Sequence, residues 1–274
     1  MVSHDAWLQS DLVKELKVLA YALWDKGWGE RNAGNISVRL NPQQMAEWGV
    51  AEMASTQWYD LPKPVPALAG QHMLMTASGA FMRHVKENPE QDLGLVRFSE
   101  DGSQFTPIAG YAGGGRPSSE MITHLLVHAE RQDKGQSVIV HTHADWLLLM
   151  SHLHDQSSEA FTKTLWRMCS ESLMFFPDGV GVVPWMLPGS LAIGEASGEL
   201  AQTHRLILWA YHGVLAAGDS LDDAFGLIET AEKAAMIYCQ GKMAGMDLPG
   251  ISDAQIVSLG KHLGVTPIYE LNGQ

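Results

Sequence analysis

Two histidines one residue apart, His141-Thr142-His143, close a run of β-branched residues at Val138-Ile139-Val140. Residues two apart on a strand face the same way, so both imidazoles can converge on one ion. Neutral imidazole is a good zinc ligand, and a catalytic zinc usually takes three protein donors with one position left open. His212 is the candidate third donor, because it follows the Ile207-Leu208-Trp209 run and precedes Gly213, where the chain turns. In a chain with 12 histidines, a His-x-His pair carries limited weight by itself. The competing reading of each is a hydrogen-bonded side chain at a strand end. His72, His84, His124, His128, His152, His154, His204 and His262 are read in that ordinary way. His124 and His128 stand four apart on an expected helix, but nothing further in the sequence makes them ligands.

Three short segments have the make-up of an anion cradle. Asn32-Ala33-Gly34-Asn35 offers two side-chain amides and a glycine where backbone can approach a ligand. Thr76-Ala77-Ser78-Gly79 offers hydroxyls and a second permissive glycine. Pro117-Ser118-Ser119-Glu120 falls at an expected helix N-terminus, where free N–H groups favour an anion. Each alone is more often a plain turn or cap. Together they matter only if the fold brings them to one place. Glu120 is either a carboxylate complementing the helix dipole or a base beside the ion. Glu171, in Cys169-Ser170-Glu171-Ser172, reads as a solvated surface acid.

The elements that must position these groups follow from periodicity. Leu8, Leu12, Leu16, Leu19 and Leu23 share one face of a first helix, which Gly27 and Gly29 end. Ile36, Val38 and Leu40 alternate as a strand. Residues 41–70, broken by Pro42, Pro62, Pro64 and Pro66 and dotted with aromatics, read as a structured excursion and not as a linker. Strands are expected over 72–76 and 94–98, and a glycine-rich loop at 113–115. A helix is expected from Ser118 or Ser119 to Arg131, and a strand over 137–142. Helices over 145–154 and 159–167 precede a strand over 173–176. A helix over 190–203, a strand-like stretch over 206–215, and helices over 221–243 and 253–263 complete the chain. Strands and helices mix without a strict βαβ rhythm, so the expectation is α/β: a single three-layer α/β/α domain spanning 1–274.

Composition narrows the function classes. Apolar residues make up 46% and charged residues 18%, as in globular proteins. The net charge of −13, from 31 acids against 18 bases, argues against a nucleic-acid surface. Two cysteines, Cys169 and Cys239, exclude a disulfide framework and suit reduced thiols. The first residues carry no signal-peptide pattern, and no apolar run reaches membrane-helix length. The expectation is a cytoplasmic protein with no membrane or nucleic-acid partner.

At this point the chain resembles the class II aldolase/adducin superfamily, in its ketose-1-phosphate aldolase branch. The resemblance rests on Gly27-Trp28-Gly29-Glu30-Arg31-Asn32-Ala33-Gly34-Asn35, Ser119-Glu120, His141-Thr142-His143 and His212-Gly213-Val214. It continues through Phe176-Pro177-Asp178-Gly179-Val180-Gly181, Pro184-Trp185-Met186-Leu187-Pro188-Gly189, Gly226-Leu227-Ile228-Glu229-Thr230-Ala231-Glu232-Lys233 and Gly264-Val265-Thr266-Pro267.

The resemblance implies a mixed, largely antiparallel central sheet and retro-aldol cleavage of a sugar phosphate to dihydroxyacetone phosphate and an aldehyde. It implies one Zn2+ per subunit on His141, His143 and His212, stabilising an enediolate, with Glu120 as acid/base. It makes Asn32, Gly34, Asn35, Ser78, Gly79, Ser118 and Ser119 the phosphate and substrate set. It implies a homotetramer with sites at subunit interfaces, where Glu171 of a neighbouring subunit serves as second acid/base. Ala33, where glycine is expected, and the unusual Gly113-Gly114-Gly115-Arg116 segment put substrate identity in question more than reaction type. The alternatives are a superfamily enzyme that cleaves or epimerises another sugar phosphate, and a metal-free adducin-like scaffold.

Overall fold

Alternating apolar side chains on the strands supply two buried faces to one sheet, and helices cover both. The structure is a computed structural model, in which residues 6–49 and 57–271 are described. Among the described residues the nine strands are β1 (Asn35–Arg39), β2 (Tyr59–Asp60), β3 (His72–Thr76), β4 (Leu93–Phe98), β5 (Gln104–Gly110), β6 (Val138–Thr142), β7 (Val180–Val183), β8 (Leu206–Trp209) and β9 (Gly213–Gly218). They form one sheet in the order β2-β5-β4-β3-β1-β6-β9-β8-β7. Each neighbouring pair is antiparallel except β7 with β8, so the sheet is mixed and largely antiparallel.

The helices are α1 (Asp11–Asp25), α2 (Pro42–Glu47), α3 (Pro89–Asp92), α4 (Met121–Arg131), α5 (Asp145–Leu153), α6 (Ser158–Met168), α7 (Ser170–Phe175), α8 (Leu191–Ala201), α9 (Leu221–Met243) and α10 (Asp253–Leu263). On one face, Ile36, Val38, Val140, Leu208 and Val214 pack with α1, α5, α6 and α9. On the other, Met73, Met75 and Val96 pack against Met121, Ile122 and Leu125 of α4, and Ile139, Ile207 and Leu215 meet Val127 of α4 and Ile193 of α8. Full burial of each such aliphatic side chain stabilises by about 1.5–3 kcal/mol, so both helix layers are held to the sheet by apolar contact. Among the described residues no helix is long and apolar enough to cross a membrane.

Several expected elements are corrected. Residues 173–176 are not a strand: Ser170–Phe175 is helical, and the strand of that region is Val180–Val183. The stretch 206–215 is two antiparallel strands joined by a turn, in which Tyr211 takes a positive φ of 64°. Leu8 lies in a 3-10 turn before α1, whose N-cap is Ser10. Helix α4 begins at Met121 with Glu120 as its N-cap residue, so Ser118 and Ser119 precede the helix. The 41–70 excursion contains the Asn41-capped helix α2 and the edge strand β2; its residues 50–56 lie outside the described residues.

Candidate active site

The sheet places the candidate groups at one end of β1, β6 and β9. Asn35 and His141 are cross-strand partners, and Thr142 pairs with Val214 in the next strand. His143 follows β6 directly, and His212 sits in the β8–β9 turn. The ligating atoms of His141, His143 and His212 all lie within 4.8 Å of one another. Their ring centroids are 5.1–5.3 Å apart, edge to face.

Two of the three imidazoles are oriented from behind, while His212 Nδ1 is buried without a hydrogen-bond partner among the described residues. The carbonyl of Val214 can only accept, so at 3.0 Å it requires the proton on His141 Nδ1 and leaves the Nε2 lone pair free. Glu30 Oε1 does the same for His143 Nδ1 at 2.7 Å. A carboxylate or carbonyl behind the ring fixes the tautomer and raises ligand basicity. Burial lowers the pKa of His141 well below its ordinary value, and lowers that of His212 to about 4 by burial and the neighbouring His143. Both are therefore neutral, as a metal ligand must be. Trp209 packs beside the group, its ring 4.4 Å from that of His141 and 5.1 Å from that of His212. Its indole N–H donates to Ser197 at 2.9 Å.

Glu120 closes the fourth side. Its Oε2 is 3.5 Å from His141 Nε2 and its Oε1 is 3.6 Å from His212 Nε2. Burial raises its pKa, opposed by a hydrogen bond from Asn35 Nδ2 at 2.7 Å. Three imidazoles with free lone pairs and one adjacent carboxylate are a donor set that fits a divalent, zinc-type ion. The three histidines could hold a metal ion.

The anion loops meet the histidines in a cleft of about 350 Å³, lined by Asn32, Gly34, Asn35, Ser78, Gly79, Ser118, Ser119, Glu120 and the three histidines. Thr142 Oγ1 and the His143 N–H both donate to the Trp28 carbonyl, at 2.7 and 3.0 Å, which ties the 29–34 loop to β6. Gly34 has φ +80°, a conformation that strains a residue with a side chain, and a Cβ there would press at 3.0 Å on the His141 carbonyl. The bridge between Ala77 and Pro117, with Ser78 N–H on the Arg116 carbonyl at 2.8 Å, sets the two serine loops side by side.

Not every expected site residue lines this cleft. Glu171 is exposed in the first turn of α7, accepts from Cys169 Sγ at 2.8 Å, and is not among the lining residues. Arg116 is exposed and also absent from the lining. Asn35 does line the cleft, and its side chain is hydrogen-bonded to Glu120 and His124. Glu30 was missed as a partner of His143; its place in the Gly27–Asn35 segment was the available signal. A larger concavity, about 780 Å³, opens at the other end of β1 around Arg39, His72 and Ser220, and among the described residues no metal-ligating trio lies there.

The family model for the class II aldolase and adducin N-terminal domain matches residues 14–239, and the chain belongs to that family. Among its relatives, rhamnulose-1-phosphate aldolase of Listeria innocua is 41% identical over 261 residues, covering 94% of this chain and 95% of that protein. The enzyme of the same name from Escherichia coli is 38% identical over 248 residues, covering 89% and 90%. A solved sugar-phosphate aldolase from Thermotoga maritima superimposes with a TM-score of 0.73 at 31% identity, covering 88% of this chain and 98% of that one.

Proposed function

We propose that the protein is a zinc-dependent lyase that cleaves L-rhamnulose 1-phosphate into dihydroxyacetone phosphate and L-lactaldehyde. The observation that carries this reading is Glu120, whose two oxygens face His141 and His212 inside a cleft also lined by three amide, hydroxyl and glycine loops. The 41% identity to a rhamnulose-1-phosphate aldolase supports the choice of substrate.

His141, His143 and His212 would hold the ion, which when bound supplies Lewis-acid stabilisation of the charge that develops on the oxygens at C2 and C3. Asn32, Gly34, Asn35, Ser78, Gly79, Ser118 and Ser119 form the wall that grips the phosphate and fixes the reacting carbons. In cleavage, a base removes the C4 hydroxyl proton and the C3–C4 electron pair stays with the three-carbon fragment. Protonated Glu120 then delivers a proton to C3; in condensation it removes that proton as general base.

Glu171 is assigned to removal of the C4 hydroxyl proton in the cleft of an adjacent subunit of a homotetramer. Its exposure on α7, beside the exposed apolar residues Met174 and Phe175, supports that reading. A cytoplasmic location is supported by the two free thiols.

The test is release of dihydroxyacetone phosphate from L-rhamnulose 1-phosphate by purified protein. Turnover that chelation abolishes and zinc restores is the expected result. Absence of turnover with zinc stoichiometrically bound would overturn the substrate assignment.

A further inference from the structure

Behind Glu120 runs a buried polar ladder between β1 and α4. Asn35, Ser37 and Arg39 alternate on the face of β1 that meets α4, and Glu120, His124 and His128 recur every four residues along the helix start and its inner face. They interlock in order. Asn35 Nδ2 lies 2.7 Å from Glu120 Oε2, and Asn35 Oδ1 is hydrogen-bonded to His124 Nε2. His124 Nδ1 lies 2.6 Å from Ser37 Oγ, which is 2.8 Å from His128 Nε2. Ser37, His124 and His128 are wholly buried.

Burial alone does not explain why two histidines and a serine fill positions where aliphatic side chains would pack at lower cost in desolvation. Hydrogen-bond polarity does. Facing an ionised carboxylate, Asn35 must present its N–H and turn its carbonyl to His124. That carbonyl can only accept, so His124 carries its proton on Nε2 and has a bare Nδ1. The bare nitrogen accepts a hydrogen bond from the Ser37 hydroxyl, and Ser37 in turn accepts from His128 Nε2–H. Burial keeps both rings neutral, lowering the pKa of His124 to about 3 and that of His128 well below its ordinary value. Every bond in the chain then points its proton toward Glu120. The reverse polarity would begin with His124 protonated on Nδ1 and turn the Asn35 carbonyl to Glu120, which suits only a protonated carboxyl.

We propose that His124, set by Ser37 and His128, is a positioning residue that locks the Asn35 amide with its N–H toward the Glu120 carboxylate. The ladder transmits orientation and not protons, because an amide link cannot pass a proton on without leaving its stable tautomer. The inference rests on Glu120 as the acid/base of the proposed reaction.

Two measurements test it. In the metal-free protein, long-range proton–nitrogen correlation of the imidazoles should show His124 and His128 neutral and protonated on Nε2; a Nδ1–H tautomer of His124 would overturn the proposal. In the zinc-loaded enzyme, His124→Leu should lower kcat about 10–100-fold, the range for an outer hydrogen-bond partner. KM, zinc stoichiometry and thermal midpoint should change far less.

His124→Gln, which keeps an N–H donor near the same place, should recover most of the lost kcat. The solvent-deuterium exchange of dihydroxyacetone phosphate should fall in parallel in His124→Leu. If that variant does not accumulate, Ser37→Ala, which leaves His124 free to change tautomer, takes its place. Loss of exchange in Glu120→Gln with normal exchange in both ladder variants would overturn the ladder alone. Normal exchange in Glu120→Gln would overturn the underlying acid/base reading.

Discussion

Asn35 and His141 face each other across the β1–β6 pair, and both touch Glu120, one through an amide at 2.7 Å and the other through an imidazole at 3.5 Å. A single register therefore sets carboxylate and imidazole together. A one-residue slip of β1 would turn Asn35 to the other face of the sheet and leave Glu120 without its donor.

Removal of one histidine should empty the site. His143→Ala and His212→Ala are each expected to bind less than a tenth of the wild-type zinc after dialysis, with turnover falling about 10³-fold or more. Metal analysis beside the cleavage assay checks this. Full zinc content in either variant would move the ion elsewhere.

Glu120→Gln separates binding from proton transfer. Zinc content should stay near wild type, while kcat falls about 10²–10⁴-fold, the usual contribution of a placed acid/base. Near-normal cleavage by this variant would remove Glu120 from the mechanism.

Gly213→Ala should injure the site without replacing a ligand. A Cβ there would lie 2.6 Å from the Thr142 carbonyl and 2.9 Å from the His143 ring. Forcing backbone apart at such contacts costs about 1–3 kcal/mol, and the expected readout is a lower melting temperature with weaker zinc retention. Unchanged melting and metal content would show that the turn yields freely.

The metal-free protein should be acid-sensitive. His124 and His212 have folded pKa values of about 3 and about 4, below the ordinary 6.5, so the unfolded chain binds their protons first. Stability is therefore whole above pH 6.5 and is lost as pH falls toward 4. Each such buried imidazole steepens the loss, and His128 and His141, also lowered by burial, act in the same direction. Urea midpoints at pH 7, 6 and 5 with chelator present measure it; a flat profile would contradict the burial of these rings.

Glu232 works in the opposite direction. Buried beneath α5, it accepts from the Trp146 and Leu147 N–H groups at 2.8 Å each, and burial raises its pKa to about 7. Its folded pKa exceeds the unfolded 4.5, so its contribution is full below pH 4.5 and lost as pH rises through about 7. Glu232→Gln should flatten stability between pH 5 and 8 relative to wild type, read from denaturation midpoints. An identical pH slope in the two proteins would refute the assignment.

Much of the site was legible because its chemistry lies in short segments. His141-Thr142-His143 ends a strand rich in β-branched residues, and the serine and glycine loops carry their own turn chemistry. The errors have physical causes. Leu173-Met174-Phe175-Phe176 is an apolar run too short to tell strand from buried helix by period. Strand β5 was overlooked because Pro107 argues against a strand; the structure accommodates it near a register shift at Leu95/Val96. His124 and His128 gave no sign of their partners, since Ser37 stands 87 and 91 residues away and only the sheet brings them together.

Trp209 has a practical consequence. A buried indole within 4.4 Å of one metal-site imidazole and 5.1 Å of another is a built-in optical gauge of occupancy. Fixing the two rings around an ion alters the electric field at the indole, so emission should shift in proportion to zinc added. Trp209→Phe should remove that signal while the other eight of the nine tryptophans continue to fluoresce. The chain thus carries its own stoichiometric indicator, readable without substrate or label.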